Sequence, residues 1–292
     1  MSSQAKPSQI DSQVAADILK SIHIPPCPAV VLALMEEIRK PQCDFGKLVK
    51  LISGDVGLAA SMLKTANSPY FALSKKVSSV QTAVSVLGLK NLMQIVTGSA
   101  LQKALGGEKV AMERFWDRSN STAVVASHLA RKLHGVSRED AYTLGLFHDC
   151  GIPILMQKFP DYKEKLATAN QAAELVIAIE DQNYATNHAV VGSMLARNWY
   201  LPEHVSQAIQ VHHDHYIFTQ PDDGLSPTVC ALVAIAVVAE HIAVTSMGVA
   251  DDAEWHLIGE AAQDYLGLNS EDMTELTEEA LAELEEIRGY RG

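Results

Sequence analysis

The segment Leu144-Gly145-Leu146-Phe147-His148-Asp149-Cys150-Gly151 sets an imidazole beside a carboxylate in apolar sequence, and further histidines follow at His188, His212 and His213. A neutral imidazole and a carboxylate adjacent on a helix point roughly 100° apart, so both can converge on one divalent ion seated between that helix and its neighbours. His188 and the adjacent His212-His213 would supply more nitrogen donors. Glu240, in Val237-Val238-Ala239-Glu240-His241, would add a carboxylate oxygen. An ion held this way with an open position could activate water for attack on a phosphoester. The same residues also admit a plainer use, as a hydrogen-bonded set that stitches helices together in a core. Unpaired burial is costly, so either use demands partners. His128, His134, His204, His215 and His241 are expected to be ordinary surface or packing residues. Trp116 and Trp199 are expected to be anchors between helices.

The elements that must carry these residues are helical almost throughout. Ala, Leu, Val and Met recur at spacings of three and four, while alternating β-branched runs are scarce, so the fold expected is all-α. Asp44 can cap a short helix through Leu51, and Ser53-Gly54-Asp55 breaks the chain before a helix from Val56 to Ala66 that ends ahead of Asn67-Ser68-Pro69. Ser79 can cap a helix through Leu87, and Gly88 interrupts it before a second run from Leu89 to about Leu105. Gly106-Gly107 marks a joint. Beyond it, Met112 to Leu133, Arg138 to Gln157, Asp161 to Glu180 and Asn187 to Trp199 read as successive helices. Another helix begins at Leu201-Pro202, Thr219 to Ser226 forms a loop, and Pro227 to Val249 is apolar enough to be central to the core. The acidic tail ends in an amphipathic helix with Leu276, Ala280, Leu281, Leu284 and Ile287 on one side. That face needs its own domain or a second copy of the chain to cover it, and a homodimer is the lesser expectation.

Composition narrows the function. The formal net charge of −12 over 292 residues leaves no basic cluster for a phosphate backbone. Gly88-Leu89-Lys90-Asn91 faintly suggests a helix-turn-helix, but no basic recognition helix follows, so nucleic acid is not an expected partner. The polar start and the lack of a run of about 18 uncharged apolar residues point to a cytoplasmic chain without membrane insertion. Cys27, Cys43, Cys150 and Cys230 are scattered and fit reduced thiols.

From about Ile24 to Val249 the sequence resembles the HDOD family, the branch of the HD superfamily found in bacterial signalling. Ile24-Pro25-Pro26-Cys27-Pro28-Ala29 is similar to its opening turn. Ile52 to Leu58 with Leu63-Lys64-Thr65-Ala66-Asn67-Ser68, and Val80 to Gly88, are similar to its next two stretches. The second half adds the His148-Asp149 segment, Asn187-His188-Ala189-Val190-Val191-Gly192, Trp199-Tyr200-Leu201-Pro202 and Ala208 to His213. The resemblance implies a two-part HD-like helical bundle: an extension over 1–23, an N-terminal bundle over 24–106, an HD-like bundle over 107–250 and an acidic helical extension over 251–292.

The catalytic pattern of the superfamily asks for a histidine where Arg118 stands and an aspartate where Glu240 stands. A guanidinium cannot ligate a metal, and it could pair with Asp149 or Glu240 instead. The lysine that follows the glycine in the phosphodiesterase branch is replaced by Ile152, and that branch's "GYP" loop is missing. The resemblance therefore implies a degenerate centre with no catalytic residue and a regulatory, non-catalytic protein. It would bind signalling proteins, such as response regulators or components of a cyclic-dinucleotide pathway, or possess a nucleotide cleft at Arg118, His148, Asp149, His188 and His212. No resident cofactor is expected, save a divalent metal held at the remnant set of His148, Asp149, His188, His212, His213 and Glu240. The alternative is a metal-dependent phosphohydrolase that uses that same set.

Overall fold

Short polar residues set where the first helices begin. In the computed structural model, which describes residues 12–67, 76–106, 109–133, 135–172, 175–214, 216–218, 224–248 and 252–288, all regular structure among the described residues is helical. The all-α expectation holds. The first helices are α1 (Ser12–Ser21), α2 (Ala29–Ile38), α3 (Phe45–Ser53), α4 (Val56–Ala66) and α5 (Val80–Ala104), of which α2 to α5 pack on one another as a first bundle. The Asp44 carboxylate accepts the Lys47 N–H, Asp55 accepts those of Gly57 and Leu58, and the Ser79 hydroxyl oxygen accepts that of Thr82. Each satisfies amides that a helix start leaves without partners. Gly88 interrupts α5 as expected, with φ 72° and ψ 167°, a conformation that a side chain would strain. Leu34, Leu48, Ile52, Met62, Leu92 and Leu101 fill this core. Beside it the Glu37 carboxylate ties α2 to the start of α3, accepting from Lys40 Nζ at 2.7 Å, Lys47 Nζ at 2.9 Å and the Asp44 N–H at 3.1 Å.

The second bundle comprises α6 (Lys109–Lys132), α7 (Arg138–Phe147), α8 (Gly151–Lys158), α9 (Tyr162–Ala172), α10 (Val176–Tyr184), α11 (His188–Asn198), α12 (Glu203–Val211), α13 (Pro227–Ser246), α14 (Ala253–Leu266) and α15 (Ser270–Arg288). Two expected helices are corrected. The run from Arg138 to Gln157 is two helices, broken at His148-Asp149-Cys150. Pro153 has no N–H to give the Asp149 carbonyl four residues back, and its ring would crowd that carbonyl. The Asp149 carbonyl instead accepts the Ile152 N–H at 2.9 Å. Gly151 then lets the turn press against α11, where a Cβ would lie 2.1 Å from the His188 carbonyl oxygen. The run from Asp161 to Glu180 is likewise α9 and α10. Tyr162 hydrogen-bonds Glu180, and residues eighteen apart would be about 27 Å from one another on one continuous helix.

Helix α13 is apolar all round and packs against α6, α7, α12 and α14. By length and composition α5 and α13 could each cross a membrane, although neither holds a run of about 18 uncharged residues, since Lys90 and Lys103 interrupt α5 and Glu240 interrupts α13. The apolar window of α13 is 72% buried in this bundle, and that packing accounts for its composition. The acidic tail folds back on its own bundle. Leu276, Ala280 and Leu284 of α15 are buried, and His128 of α6 is clamped between Glu279 and Glu283, with Lys132 on Glu279 at 2.8 Å. At the seam between the bundles the Trp199 indole N–H donates to the Pro25 carbonyl at 3.0 Å, and its ring meets the edge of Phe147. Trp116 packs edge-on against Phe115. Ser68, Pro69, Gly107, His134, His215, residues 219–223, Val249, the side chain of Ile287 and the C-terminal 289–292 lie outside the described residues.

Two outcomes follow from these contacts. Gly151→Ala forces the α8 turn and α11 apart and should cost about 1–3 kcal/mol of stability, read from urea denaturation. The hydrogen bonds from Lys40 and Lys47, then that from the Asp44 amide, lower the Glu37 pKa from 4.5 to about 2. A depressed carboxylate contributes stability above its unfolded pKa and loses it as pH falls through the folded value. The melting-temperature gap between wild type and Glu37→Gln should therefore be full at pH 7, narrow below about 4.5 and close near 2. A gap unchanged across that range would remove the ion pairs from the account.

Candidate metal centre

Six elements bring side chains to one place. The α7–α8 turn supplies His148 and Asp149, the first residue of α11 is His188, the end of α12 supplies His212 and His213, and α13 supplies Glu240. Arg118 comes from α6, and Glu254 of α14 closes the far side. Every sequence-predicted residue of the set is therefore brought together.

The ring orientations are fixed from outside the centre. His148 Nδ1 lies 2.8 Å from the Gly145 carbonyl and His212 Nδ1 lies 2.7 Å from that of Ile209. A carbonyl only accepts, so both Nδ1 atoms carry hydrogens and donate. His188 Nδ1 donates to Glu180 Oε2 at 2.6 Å, and His213 Nδ1 bonds Glu254. All four Nε2 atoms consequently face inward. Histidines held this way by carbonyls and carboxylates are what metal ligation requires.

Asp149, 4% exposed, divides the interior between its two oxygens. Its Oδ1 lies 3.3 Å from His188 Nε2 and 3.8 Å from His212 Nε2, while His188 Nε2 is 2.8 Å from His213 Nε2. Its Oδ2 lies 3.3 Å from His148 Nε2, which is 3.6 Å from Glu240 Oε1. The ligating atoms of Asp149, His188, His212 and His213 all lie within 4.8 Å of one another, and so do those of His148, Asp149 and Glu240. The Nε2 atoms of His148 and His212 are buried and make no hydrogen bond. The buried Nε2 of His212, beside the Asp149 carboxylate and two more imidazoles, fits a divalent cation on the Oδ1 side.

The Oδ2 side does not fit a second one. The Arg118 guanidinium bonds Glu240 Oε1 and stands 3.7 Å from Asp149 Oδ2, so a permanent positive charge occupies the ground between those carboxylates.

The charges follow from that geometry. Burial works to lower the His148 and His188 pKa values, but nearby carboxylates outweigh it. Asp149 and Glu240 raise His148 well above its usual value, and Glu180 and Asp149 carry His188 up to about 10. His188 therefore holds a proton and donates it toward His213. Burial, then the charges of the neighbouring histidines, lower His212 to about 4 and His213 to about 3. Burial would raise Asp149, yet His148 and the surrounding hydrogen bonds hold it well below the carboxylate range. Burial and the charge of Glu240 push Glu254 up to about 7. A cation entering on the Oδ1 side would take the place of the His188 proton.

Sequence reasoning missed Glu180, Tyr162 and Glu254. Glu180 had a signal, the first of two acids that follow the apolar Val176-Ile177-Ala178-Ile179. Glu254 had none, because acids crowd the tail. It is brought in by Trp255, which stacks on His241 at 3.8 Å, and by Asp252, which bonds the same imidazole at 3.1 Å. His204 pairs with Asp140 at 3.0 Å, away from the centre.

Comparison with known proteins supplies the lineage. A protein of Treponema pallidum, described as uncharacterized, is 28% identical over 206 residues, which is 70% of this chain and 40% of that protein. A Vibrio cholerae protein named cyclic di-GMP phosphodiesterase CdgJ is 23% identical over 152 residues, 49% of this chain and 34% of that one. The chain thus spans less than half the length of these curated relatives. The crystal structure of an HDOD domain protein with unknown function from Geobacter sulfurreducens has the same fold, with a TM-score of 0.72, 22% identity and 95% of each chain covered. The profile of the HDOD domain matches residues 24–215, leaving Glu240 and Glu254 beyond its end. With the matched region covering most of the sequence and the fold shared end to end, the chain belongs to the HDOD domain family.

Proposed function

We propose that this chain is a non-catalytic signalling module that acts by binding, with a single divalent cation or a proton holding the Asp149 centre together. The observation that carries this reading is Arg118, bonded to Glu240 and 3.7 Å from Asp149. Hydrolysis of a phosphoester by a centre of this kind needs metal-activated water beside an open position. Here the guanidinium engages the carboxylate that would complete the second half, and its charge repels a further cation. A cation on the Oδ1 side would be held by Asp149, His188, His212 and His213 and would cross-link the α7–α8 turn, α11 and the end of α12.

The signalling role rests on the family and on the Vibrio cholerae relative, whose name attaches it to cyclic di-GMP. The match spans about a third of that protein, so the activity in its name can reside outside the shared part. Binding partners of the expected kind are response regulators or other proteins of a cyclic-dinucleotide pathway, and the surface proposed for them is the seam between the two bundles. There Met35, Ile38, Met93, Leu146 and Leu201 line a cavity of about 260 Å³. A cytoplasmic location accords with this role.

A metal-dependent phosphohydrolase is the second reading. It is favoured by one observation, the two buried Nε2 atoms of His148 and His212 without hydrogen bonds.

Metal analysis after loading with Mn²⁺ or Fe²⁺, paired with hydrolysis of bis(p-nitrophenyl) phosphate and of a cyclic dinucleotide, separates the two. The wild type should retain a single cation, lose it in His188→Ala, and release no product. Arg118→His should raise the metal content, because an imidazole replaces the fixed charge. Turnover in the wild type that disappears in His148→Ala would overturn the binding role in favour of the hydrolase.

A further inference from the structure

Helices α9 and α10 give no ligand to the centre, yet they bury a tyrosine and a glutamate behind it. Tyr162, Glu180 and His188 are each 1% exposed. The Tyr162 hydroxyl donates to Glu180 Oε1. Glu180 Oε2 accepts the His188 backbone N–H at 3.0 Å and its Nδ1–H at 2.6 Å. A carboxylate this deep is tolerated because every donor around it is aimed at its oxygens.

We infer that Tyr162 and Glu180 are positioning residues for His188, fixing its ring so that Nε2 faces Asp149 and thereby setting how tightly the centre holds a divalent cation. The inference rests on the cation reading above. The competing explanation is that Glu180 merely caps α11. That helix already has a cap, since the Asn187 side chain accepts the Val190 N–H at 3.0 Å, and a cap would not need the ring contact. The two roles come apart in Glu180→Gln. Glutamine keeps the size and, with its oxygen in the place of Oε2, still accepts the backbone N–H and the Nδ1–H. It carries no charge, however, so it holds the ring less firmly and makes Nε2 a poorer donor to a cation.

The experiment is Co²⁺ titration of the full chain, followed by visible absorption, with thermal melting of the metal-free proteins alongside. Glu180→Gln should weaken Co²⁺ by about 10–100-fold and change the spectrum while melting close to wild type. Tyr162→Phe should move affinity the same way by less. A folded Glu180→Gln with wild-type affinity and spectrum overturns the positioning role. If that variant does not fold, Tyr162→Phe decides, and unchanged affinity and spectrum overturn it. Failure of the wild type to bind Co²⁺ overturns the cation reading itself and this inference with it, an outcome distinct from wild-type binding that the variants leave intact.

Discussion

A single buried carboxylate, Asp149, organises the second bundle. It sits among three imidazoles and a guanidinium contributed by α6, α11 and α12 and by its own turn. An isolated charge at that depth would be very costly, so its neighbours must be present and correctly turned for the helices to pack. The polar centre thereby fixes the mutual placement of helices whose apolar faces alone would tolerate sliding, and α13 supplies the surrounding apolar wall.

Close backbone approach makes the arrangement possible. Gly151 brings the α8 turn against the His188 backbone. Gly145 lies so near α6 that a Cβ there would be 2.7 Å from the Ala123 Cα. Gly192 faces the Cys150 thiol and Ile209. With these contacts the His148-Asp149 turn, α11 and α6 stand near enough for short side chains to meet. Larger residues would separate the ligands before they altered any chemistry, which is why glycines with no polar group belong to the functional description.

The centre also joins residues inside the matched HDOD region to residues beyond its end. His148, Asp149, His188, His212 and His213 fall inside the matched region, whereas Glu240 and Glu254 come from helices beyond it. Helix α15, clamped on α6 through His128, secures the tail that carries Glu254. α6 therefore links the C-terminal helices to Arg118, and the acidic extension is a structural member of the bundle.

Much was legible in the sequence because it depends on neighbours along the chain. Helical periodicity, the caps at Asp44 and Ser79, the chain break at Asp55, the interruption at Gly88, the family and the set of His148, Asp149, His188, His212, His213 and Glu240 all follow from local pattern. The break at His148-Asp149-Cys150 was also written there, in Pro153, but apolar periodicity on both sides concealed it. Tyr162–Glu180 pairing, the use of Glu254, and the closer engagement of Arg118 with Glu240 than with Asp149 depend on which helices lie side by side. Only the tertiary structure decides those. Nothing in a segment's own residue order states the distance to another segment, and electrostatic partners are chosen by ångströms of separation in a buried, poorly screened interior.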